Sequence, residues 1–594
     1  MRKITLITSS LIVTILLAIT VFLSTIGFKT DNFNDLINEK VNEIDPKIKL
    51  KLNDVSFKLN TKNLEFKVVT TDPKIQINKK KIDLETIKFD LNIFKYLNKK
   101  NPISQISIVS KENDINQLTG FLNEYDFNLA RNLILKQIKK GKIKFLSNII
   151  FEEENPNSFE YKINGSISNA DVKLPNNLKL NNINFTFLID KDAISLKELD
   201  FSIDKIFITS NKLKIKKIKK EFEVSGTLNT KKTKINLNNY FDIKNINLDI
   251  FENQFINLGS VNKFSFKIDN KIRIKDLNII SNLNFDELYT KSKYQDLIYL
   301  KNGNIIINYK GSELNIDLDS KFLFKNKNYN NGTNNLIKLN YKKKKNADAN
   351  VNITISNLKN KINSKELKKF ISSDNFNLPD QDIEFGSENF INFEINKNNK
   401  IKNLEINSRI KTDNIIIDYK SQRIKKYFNN FKNQFKLSDS NIQLDYSKNK
   451  FKISLKSKYS INDISDDIYF NLERKNNNYF FDLDINLDSA EIQINELEYK
   501  KNINVKSNLF TEGIYKENKE IIFNNIKFNE DERYLEIKNL ELGKNDKIKN
   551  IDLLKIDLLN KKEKNNKLEF KKVNDNYYLI GKEFDGSKNI KNIL

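Results

Sequence analysis

The chain of 594 residues has no cysteine, no histidine and no tryptophan, and it has one methionine. These absences exclude disulfides, Cys/His zinc sites and every catalysis that needs an imidazole or a thiolate. An oxidising compartment is permitted but not required, because a chain without cysteine is indifferent to it. Carboxylate pairs stay available for acid–base chemistry, but no motif marks a pocket for them. We therefore expect no enzyme, no cofactor and no metal ion.

Glycine and proline are also scarce, with 14 and 6 residues in the whole chain. Turns must then be formed largely by Asn and Asp, because these residues tolerate left-handed backbone conformations. We expect both residue types wherever two elements are joined by a tight turn.

The formal net charge is +25, from 102 Lys+Arg and 77 Asp+Glu. A nucleic-acid-binding surface concentrates basic residues on one patch with aromatic residues among them. Here lysine is spread along the whole chain between Asn and Asp, so we expect no nucleic-acid partner. Attraction to anionic lipid headgroups stays open. The tetralysine at 342–345 is expected to lie in a solvated loop.

The N-terminus contains a long apolar segment, Ile4–Phe28, without a charged residue. It has about 25 residues, and about 20 are enough to cross the hydrocarbon core of a bilayer. A secretory signal peptide has a shorter apolar region and a small-x-small cleavage site, which "FLSTIGFKT" lacks. The segment therefore favours an uncleaved anchor. Arg2 and Lys3 precede it, which predicts a cytoplasmic N-terminus and a periplasmic remainder in a bacterial cell.

A short amphipathic helix is expected directly after the anchor, within "TDNFNDLINEKVNEIDP". Its apolar residues recur at helical spacing, and Pro46 ends it. It either packs on the following strands or lies on lipid headgroups. We favour packing, because one apolar stripe is what any surface helix needs.

From residue 48 the apolar period changes from 3.6 to 2, as in "IKLKLNDVSFKLN". Alternation of this kind, broken by short polar turns, predicts a β-meander up to a strand at Ile103–Ser110. Two helices are predicted next, within 113–125 and 127–141, the second with a C-cap at Gly141.

Most of the chain beyond Lys142 also reads as period-2 strands. Helical interruptions are predicted near Leu367–Ile371 and within 421–435, and a loop over 329–350. The clearest strand segments are 163–174, 183–189, 221–229, 351–358, 391–395, 451–461 and 481–494.

The segment 481–494 separates two kinds of side chain on its two faces. Asp482, Asp484 and Asp488 point away from the apolar residues between them. Three aspartates could suggest Ca²⁺, but the glycine-centred loop of an EF-hand is missing. We therefore expect these carboxylates to form a solvated face.

The expected fold class is mainly β: an N-terminal transmembrane helix, then a long, curved, mostly antiparallel sheet forming an elongated groove, with a few short helices. A β-sandwich would show the same alternation and would bury its apolar face against a second sheet. Hundreds of residues of meander without clear linkers favour one sheet with an uncovered apolar face. Such a face exceeds what soluble monomers leave exposed, and lipid acyl chains would cover it. The candidate lining residues are Leu50, Leu52, Val55, Phe57, Phe66, Val68, Phe89, Leu91, Phe185, Phe187, Phe481, Leu483, Ile485 and Leu487.

This pattern resembles the AsmA-like family of bacterial proteins, the AsmA, TamB and YhdP group. The resemblance is carried by the anchor with its abutting helix, by the alternating segment that follows, and by "YKINGSISNADVKL" at 161–174. "YYLIGKEFDGSKNIKNIL" is similar to a segment near the end of these proteins, at Gly581, Phe584, Asp585 and Ser587. In the family this segment is often followed by more chain, so we expect a shortened or partial member.

The resemblance implies an inner-membrane-anchored periplasmic protein that carries phospholipids along a hydrophobic β-groove between the inner and outer membranes. It implies no catalytic residues. Its partners would be phospholipids, the inner membrane and an outer-membrane or periplasmic protein. The alternative is a structural or assembly factor for outer-membrane biogenesis, built from closed β domains and carrying no lipid. The expected domains are an anchor (1–29), a chorein-like meander (30–145), a first groove part (146–328), the loop (329–350) and a second groove part (351–594).

Overall fold

The structure is a computed structural model. It describes residues 2–32, 34–44, 46–77, 80–92, 94–95, 98, 103–122, 138–152, 158–173, 179–203, 205–219, 221–236, 255–269, 273–289, 298–324, 335–365, 378–419, 422–428, 431, 433–461, 465–516, 520–543, 547–574 and 576–583.

The described chain is mainly β, with a few helices. The helices with described bounds are α1 (Arg2–Thr25), α2 (Asn34–Ile44), α3 (Ile115–Leu122) and α4 (Gln422–Tyr427), and a single 3₁₀ turn covers Asn495–Leu497. The first strands are β1 (Phe28–Thr30), β2 (Ile48–Lys51), β3 (Val55–Asn60), β4 (Glu65–Thr71), β5 (Lys74–Ile77), β6 (Lys80–Asn92), β7 (Ile103–Ser110), β8 (Asn113–Asp114), β9 (Ile138–Phe151), β10 (Phe159–Lys173), β11 (Lys179–Ile189), β12 (Ala193–Ile203), β13 (Ile206–Ile218), β14 (Glu221–Asn236), β15 (Phe255–Ile268), β16 (Ile274–Tyr289) and β17 (Ile298–Lys310). The later strands are β18 (Glu313–Phe324), β19 (Leu336–Lys344), β20 (Ala349–Asn363), β21 (Asp382–Ile395), β22 (Ile401–Asp418), β23 (Gln434–Ser447), β24 (Lys450–Ser460), β25 (Ser465–Lys475), β26 (Asn478–Asn486), β27 (Ile492–Ile494), β28 (Tyr499–Lys501), β29 (Ser507–Lys516), β30 (Glu520–Glu530), β31 (Arg533–Leu542), β32 (Ile548–Asn550), β33 (Leu553–Leu559), β34 (Asn565–Val573) and β35 (Asn576–Glu583).

Strand pairing places 33 of these strands in one sheet and leaves β27 and β28 as a separate two-stranded sheet. The pairs are antiparallel, and most join strands that follow each other in the chain. The predicted mainly β fold, with one large antiparallel sheet and few helices, is thereby confirmed.

The chain divides into two compact units. Unit 1 comprises Met1–Asn236, Phe255–Asn284 and Ile306–Gly311, and unit 2 comprises Leu237–Gln254, Phe285–Ile305 and Ser312–Leu594. In unit 1 the pairing runs from β9 through every strand to β15, and in unit 2 it runs from β18 through every strand to β26.

Asparagine and aspartate supply most of the left-handed backbone positions, both in turns, as predicted, and inside strands such as β10 and β22. Among the described residues, 21 non-glycine residues have a positive φ, and twelve of them are Asn and four are Asp. The hairpin between β25 and β26 turns on Asn476 and Asn477, with φ of 48° and 63°. Two consecutive left-handed residues give the turn whose twist matches that of the flanking strands.

Helix α1 is long and apolar enough to cross a membrane. Its segment Leu6–Thr25 has a mean hydropathy of 2.6, and none of it is buried against the rest of the chain. A single helix at this position fits either a membrane span or a signal sequence.

The other helix predictions have mixed outcomes. The structure confirms α2, part of the helix within 113–125 and residues 422–427 of the helix within 421–435. The last prediction is wrong for Gln434 and Phe435, which begin β23. The prediction of a helix ending at Gly141 is wrong for its last residues, because Gly141 lies inside β9, where a Cβ would stand 2.8 Å from that of Ala170. Residues 127–137 and Leu367–Ile371 lie outside the described residues.

The loop predicted over 329–350 is wrong for Leu336–Lys344, which form β19, and for Ala349 and Asn350, which begin β20. Residues 329–334 lie outside the described residues. Leu339 pairs with Leu318 on one side and with Ile353 on the other, so β19 is a central strand. Its lysines keep their charges in solvent, and Lys344 pairs with Glu313 at 3.1 Å. The polar composition that suggested a loop belongs to the solvated face of a strand.

Candidate functional site

A cross-strand row of apolar residues runs along one face of unit 1. Residues directly opposite each other in antiparallel strands share a face. This row crosses six strand pairs, and most of its members are half-buried. The row consists of Phe28, Phe57, Val68, Phe89, Ile106, Ile149 and Tyr161.

The same face continues two residues further along β10. Ile163 shares the face of Tyr161, because side chains alternate along a strand. From Ile163 a second row extends across five more strands, and only Val224 in it is fully buried. Its members are Ile163, Ile189, Ile194, Ile215, Val224 and Phe266.

Unit 2 carries a longer row of the same kind, across eleven strands. Nine of its members are half-buried, Thr511 is buried, and Leu579 on β35 is 67% exposed. The row consists of Ile410, Ile442, Leu455, Phe470, Leu483, Thr511, Ile526, Ile537, Leu554, Phe570 and Leu579.

The opposite face of the strands is polar. In β10 the exposed residues Lys162, Asn164 and Ser166 alternate with the half-buried ones. In β26 Asp484 is exposed, and Asp482 accepts a hydrogen bond of 2.9 Å from Asn471 Nδ2. The predicted division into an apolar and a solvated face therefore holds along these strands.

Glycines on the apolar face lie beneath phenylalanine rings of the neighbouring strand. A Cβ at Gly513 would lie 2.8 Å from Phe481 Cζ and 2.3 Å from the carbonyl oxygen of Ile522. Gly165 lies in the same way beneath Phe187. A ring packed over a strand glycine fills the space that a side chain at that position would occupy.

Helix α2 covers part of the apolar face of unit 1. Ile37 of α2 packs against a cluster around Leu52, Val55 and Val68. The helix is fixed there because Asn38 Oδ1 accepts a hydrogen bond of 3.0 Å from the backbone of Leu50. This packing agrees with the predicted position of the amphipathic helix.

A second cover lies in unit 2 and is formed by residues 487–506, which we call the cover segment. It leaves β26 at Leu487, forms β27 and β28, and returns to β29. Its residues Leu487, Ala490, Ile492 and Tyr499 are buried against strands of the sheet. The strand residues in this cluster are Tyr459, Phe528, Ile556 and Leu558.

Polar contacts fix the cover segment to the sheet. The hydroxyl of Tyr499 donates a hydrogen bond of 2.8 Å to Glu530. Burial, this hydrogen bond and the charge of Glu530 raise the pKa of Tyr499 well above its ordinary value. The ammonium group of Lys501, 1% exposed, donates to the carbonyl oxygens of Ala490 at 2.7 Å and Asn502 at 3.0 Å. Burial lowers the pKa of Lys501.

The structure brings most of the predicted lining residues onto the apolar faces. In unit 1, Val55, Phe57, Phe66, Val68, Phe89, Leu91, Phe185 and Phe187 share one face. Leu50 and Leu52 belong to the cluster beneath α2, with Leu52 buried.

In unit 2, Phe481, Leu483 and Ile485 share a face, but Leu487 is not on the strand. The prediction of one continuous strand over 481–494 is wrong, because β26 ends at Asn486. There Leu487 donates a backbone hydrogen bond of 2.8 Å to Ser507 O, and the carboxylate of Asp488 accepts one from Ser507 at 2.6 Å. These bonds turn the chain into the cover segment.

The sequence alone did not single out several residues of the rows, such as Ile106, Ile149 and Phe470. Their alternation was visible, but the register that aligns them with their neighbours was not. Gly581 lies in β35, and Phe584, Asp585 and Ser587 lie outside the described residues.

Comparison of the chain with family models, with curated proteins and with solved structures gives no match.

Proposed function

We propose that the chain is an AsmA-like lipid-transfer protein, anchored in the bacterial inner membrane by α1. The bulk of the chain then lies in the periplasm and carries phospholipids towards the outer membrane along the apolar faces of its sheet. One observation carries this proposal. Apolar residues form cross-strand rows over many strands, interrupted in unit 2 by Thr511, and most of them are half-buried instead of being fully packed under a second layer.

Acyl chains have the chemistry that such rows require. Each methylene group removed from water contributes about 0.8 kcal/mol, so a two-chain lipid is held without a specific polar contact. Along each strand the apolar residues of the rows alternate with polar residues on the opposite face of the sheet. Lipid on the apolar face therefore leaves the polar face in water. A membrane anchor at the start of the chain places the rows beside a source of lipid.

The cover segment favours a second candidate function. Where protein seals the apolar face, as around Tyr499 and Leu558, no lipid is needed. In a structural or assembly factor of the outer membrane, protein would cover the apolar face of the whole sheet while the factor functions. The two functions therefore differ in what contacts the half-exposed rows.

Site-specific photo-crosslinking in living cells tests the proposal. A photoreactive phenylalanine analogue replaces Leu483 in one variant and Asp484, on the opposite face, in the other. We expect crosslinked phospholipid at position 483 and at least tenfold less at position 484, read by mass spectrometry of the purified chain. Protein crosslinks at 483 without lipid would support the structural factor instead.

A further inference from the structure

A row of different composition borders the apolar face of unit 2. It lies at the hairpin end of β25 and β26, two residues beyond Phe481 and on the same face. Tyr446 and Tyr515 in it are 40% and 38% exposed. The row consists of Tyr446, Phe451, Arg474, Tyr479, Tyr515 and Ile521. Tyrosine is the residue type that suits a boundary between apolar and wet surroundings.

Arg474 is the cation of this row. Its guanidinium lies 5.7 Å from the ring centroid of Tyr479, and that ring lies 6.2 Å from the ring of Tyr515. Nη2 donates a hydrogen bond of 3.0 Å to Asn477 Oδ1. Within the part of the chain that the structure describes, no carboxylate pairs with Arg474, whereas Arg273 and Arg533 both have acidic partners.

The choice of arginine is notable in this chain. Only seven of its 102 Lys+Arg residues are arginine. The guanidinium differs from an ammonium group in presenting a planar fork that binds a phosphate through two parallel hydrogen bonds. Here the fork stands at the border of an apolar surface, beside the ring of Tyr479.

The cover segment closes the other end of the same strands. Ile485, which packs against the cover segment, lies six positions after Tyr479, a distance of about 20 Å along the strand. Half of a bilayer's hydrocarbon core is about 15 Å thick. The apolar surface between the tyrosine row and the cover therefore has the length of one acyl chain lying along the strands, with its headgroup at Arg474.

We propose that Arg474 binds the phosphate group of a phospholipid whose acyl chains lie on the rows of Phe481 and Leu483. The proposal rests on the lipid-carrying function above and deepens it, since it gives the lipid an orientation and a charged headgroup. Tyr479 and Tyr515 line the passage between headgroup and chains. The cover segment blocks the opposite orientation.

Two photoactivatable lipids distinguish binding of the phosphate group from binding of the acyl chains. One is a phosphatidylglycerol with a diazirine in an acyl chain, and the other is a diacylglycerol with the same chain. Each is added in detergent micelles to the purified full chain. We expect the phosphatidylglycerol to label the wild type several-fold more than the diacylglycerol does. Arg474→Gln should remove that preference without reducing labelling by diacylglycerol, and Arg474→Lys should keep part of it.

Arg409→Gln is the matched control, because Arg409 lies on the solvated face of β22, beside Ile410. It should leave the preference unchanged. Equal labelling by both lipids in the wild type, or equal loss in R409Q and R474Q, would overturn the phosphate site while leaving lipid carriage intact. If neither lipid labels any variant, the proposed function itself fails. Inorganic phosphate at millimolar concentration should not reduce labelling. If it does, Arg474 binds free anions and the headgroup assignment is wrong.

Discussion

Two regions of unit 2 begin with the same alternation and end in different surroundings. Around Tyr499, the apolar side chains of β24, β30 and β33 are buried beneath the cover segment, and Leu558 has no exposed surface. On the row through Leu455 and Leu483, side chains of the same type are only half-buried. The two kinds of surface share strands, since Tyr459 and Leu455 both lie on β24. What differs is whether a segment of the chain folds across them.

Alternation of apolar and polar residues therefore predicts that a strand has an apolar face, but it does not predict whether protein covers that face. A covered face owes its stability to packing within the protein, whereas an open face has to find its apolar contacts elsewhere. The first kind of surface should therefore respond to mutation through folding, and the second through binding.

Removing a covered side chain should have the largest effect on stability. Leu558→Ala leaves a cavity in a packed cluster and should cost about 3 kcal/mol of unfolding free energy. Leu455→Ala, on the open row, should cost about 1 kcal/mol or less, because its side chain already contacts solvent. Denaturant titration followed by tyrosine fluorescence measures both, since the chain has no tryptophan. Equal losses would mean that the open row is as well covered as the cluster.

Filling the space beneath an aromatic ring should have the next largest effect on stability. Gly513→Ala places a Cβ against the backbone of β30 and the ring of Phe481, and this overpacking should cost about 2 kcal/mol. Gly226→Ala in unit 1 is the matched comparison, because its nearest atoms stand 3.3 Å away in the side chains of Leu213 and Phe264. Its loss should be clearly smaller. The same denaturant titrations measure both losses. A larger loss for Gly226→Ala than for Gly513→Ala would contradict the close packing of the Phe481 ring over Gly513.

Placing a charge on the open row should impair transport more than it impairs folding. Leu483→Asp should slow phospholipid transfer at least tenfold, equivalent to about 1.4 kcal/mol, because acyl chains would have to pass an ionised carboxylate. Asp484→Lys, one residue away on the solvated face, should leave the rate unchanged. Pulse-labelling of outer-membrane lipid in cells measures the rate. Equal effects of the two substitutions on the transfer rate would mean that the apolar and solvated faces do not differ in lipid transport.

Raising the pH should weaken the covered region through Tyr499. Its pKa is raised in the folded chain above the ordinary value of 10.0, so the unfolded chain releases the proton first and stability falls above pH 10. One pH unit above that value, the loss should be up to about 1.4 kcal/mol. Tyr499→Phe should reduce the fall between pH 10 and 11 in the same titrations, and Tyr459, whose pKa burial also raises, should account for part of what stays. A slope unchanged by this substitution would show that Tyr499 is not held neutral by its surroundings.

Several parts of the fold were predictable because they depend on local chemistry. The period of 2 placed β7 at Ile103–Ser110 without error, and the scarcity of glycine predicted turns such as Asn476–Asn477. The candidate face was predictable strand by strand. Its rows were not, because register depends on which backbone groups pair across strands that are distant in the chain.

The predictions that failed share a physical cause. The hydrophilic lysines of 336–344 predict a loop, yet the backbone of this segment pairs on both sides and its charges reach solvent. At Leu487 the apolar alternation continues past the end of the strand, because an apolar residue buried in the cover segment cannot be told in sequence from one on a strand. No sequence signal marks Arg474, since one arginine near a turn is ordinary until the register places it beside Phe451 and Tyr479.

Residue type and spacing alone establish the alternation of apolar and polar residues over hundreds of positions and the membrane-length apolar segment at the N-terminus. They also establish that the chain lacks the side chains for thiol or imidazole chemistry. Which apolar surfaces are sealed by α2 and residues 487–506, and which stay open, depends on the packing of segments that are distant in the chain. Burial is a property of the space between distant segments, and no single segment encodes what will lie across it.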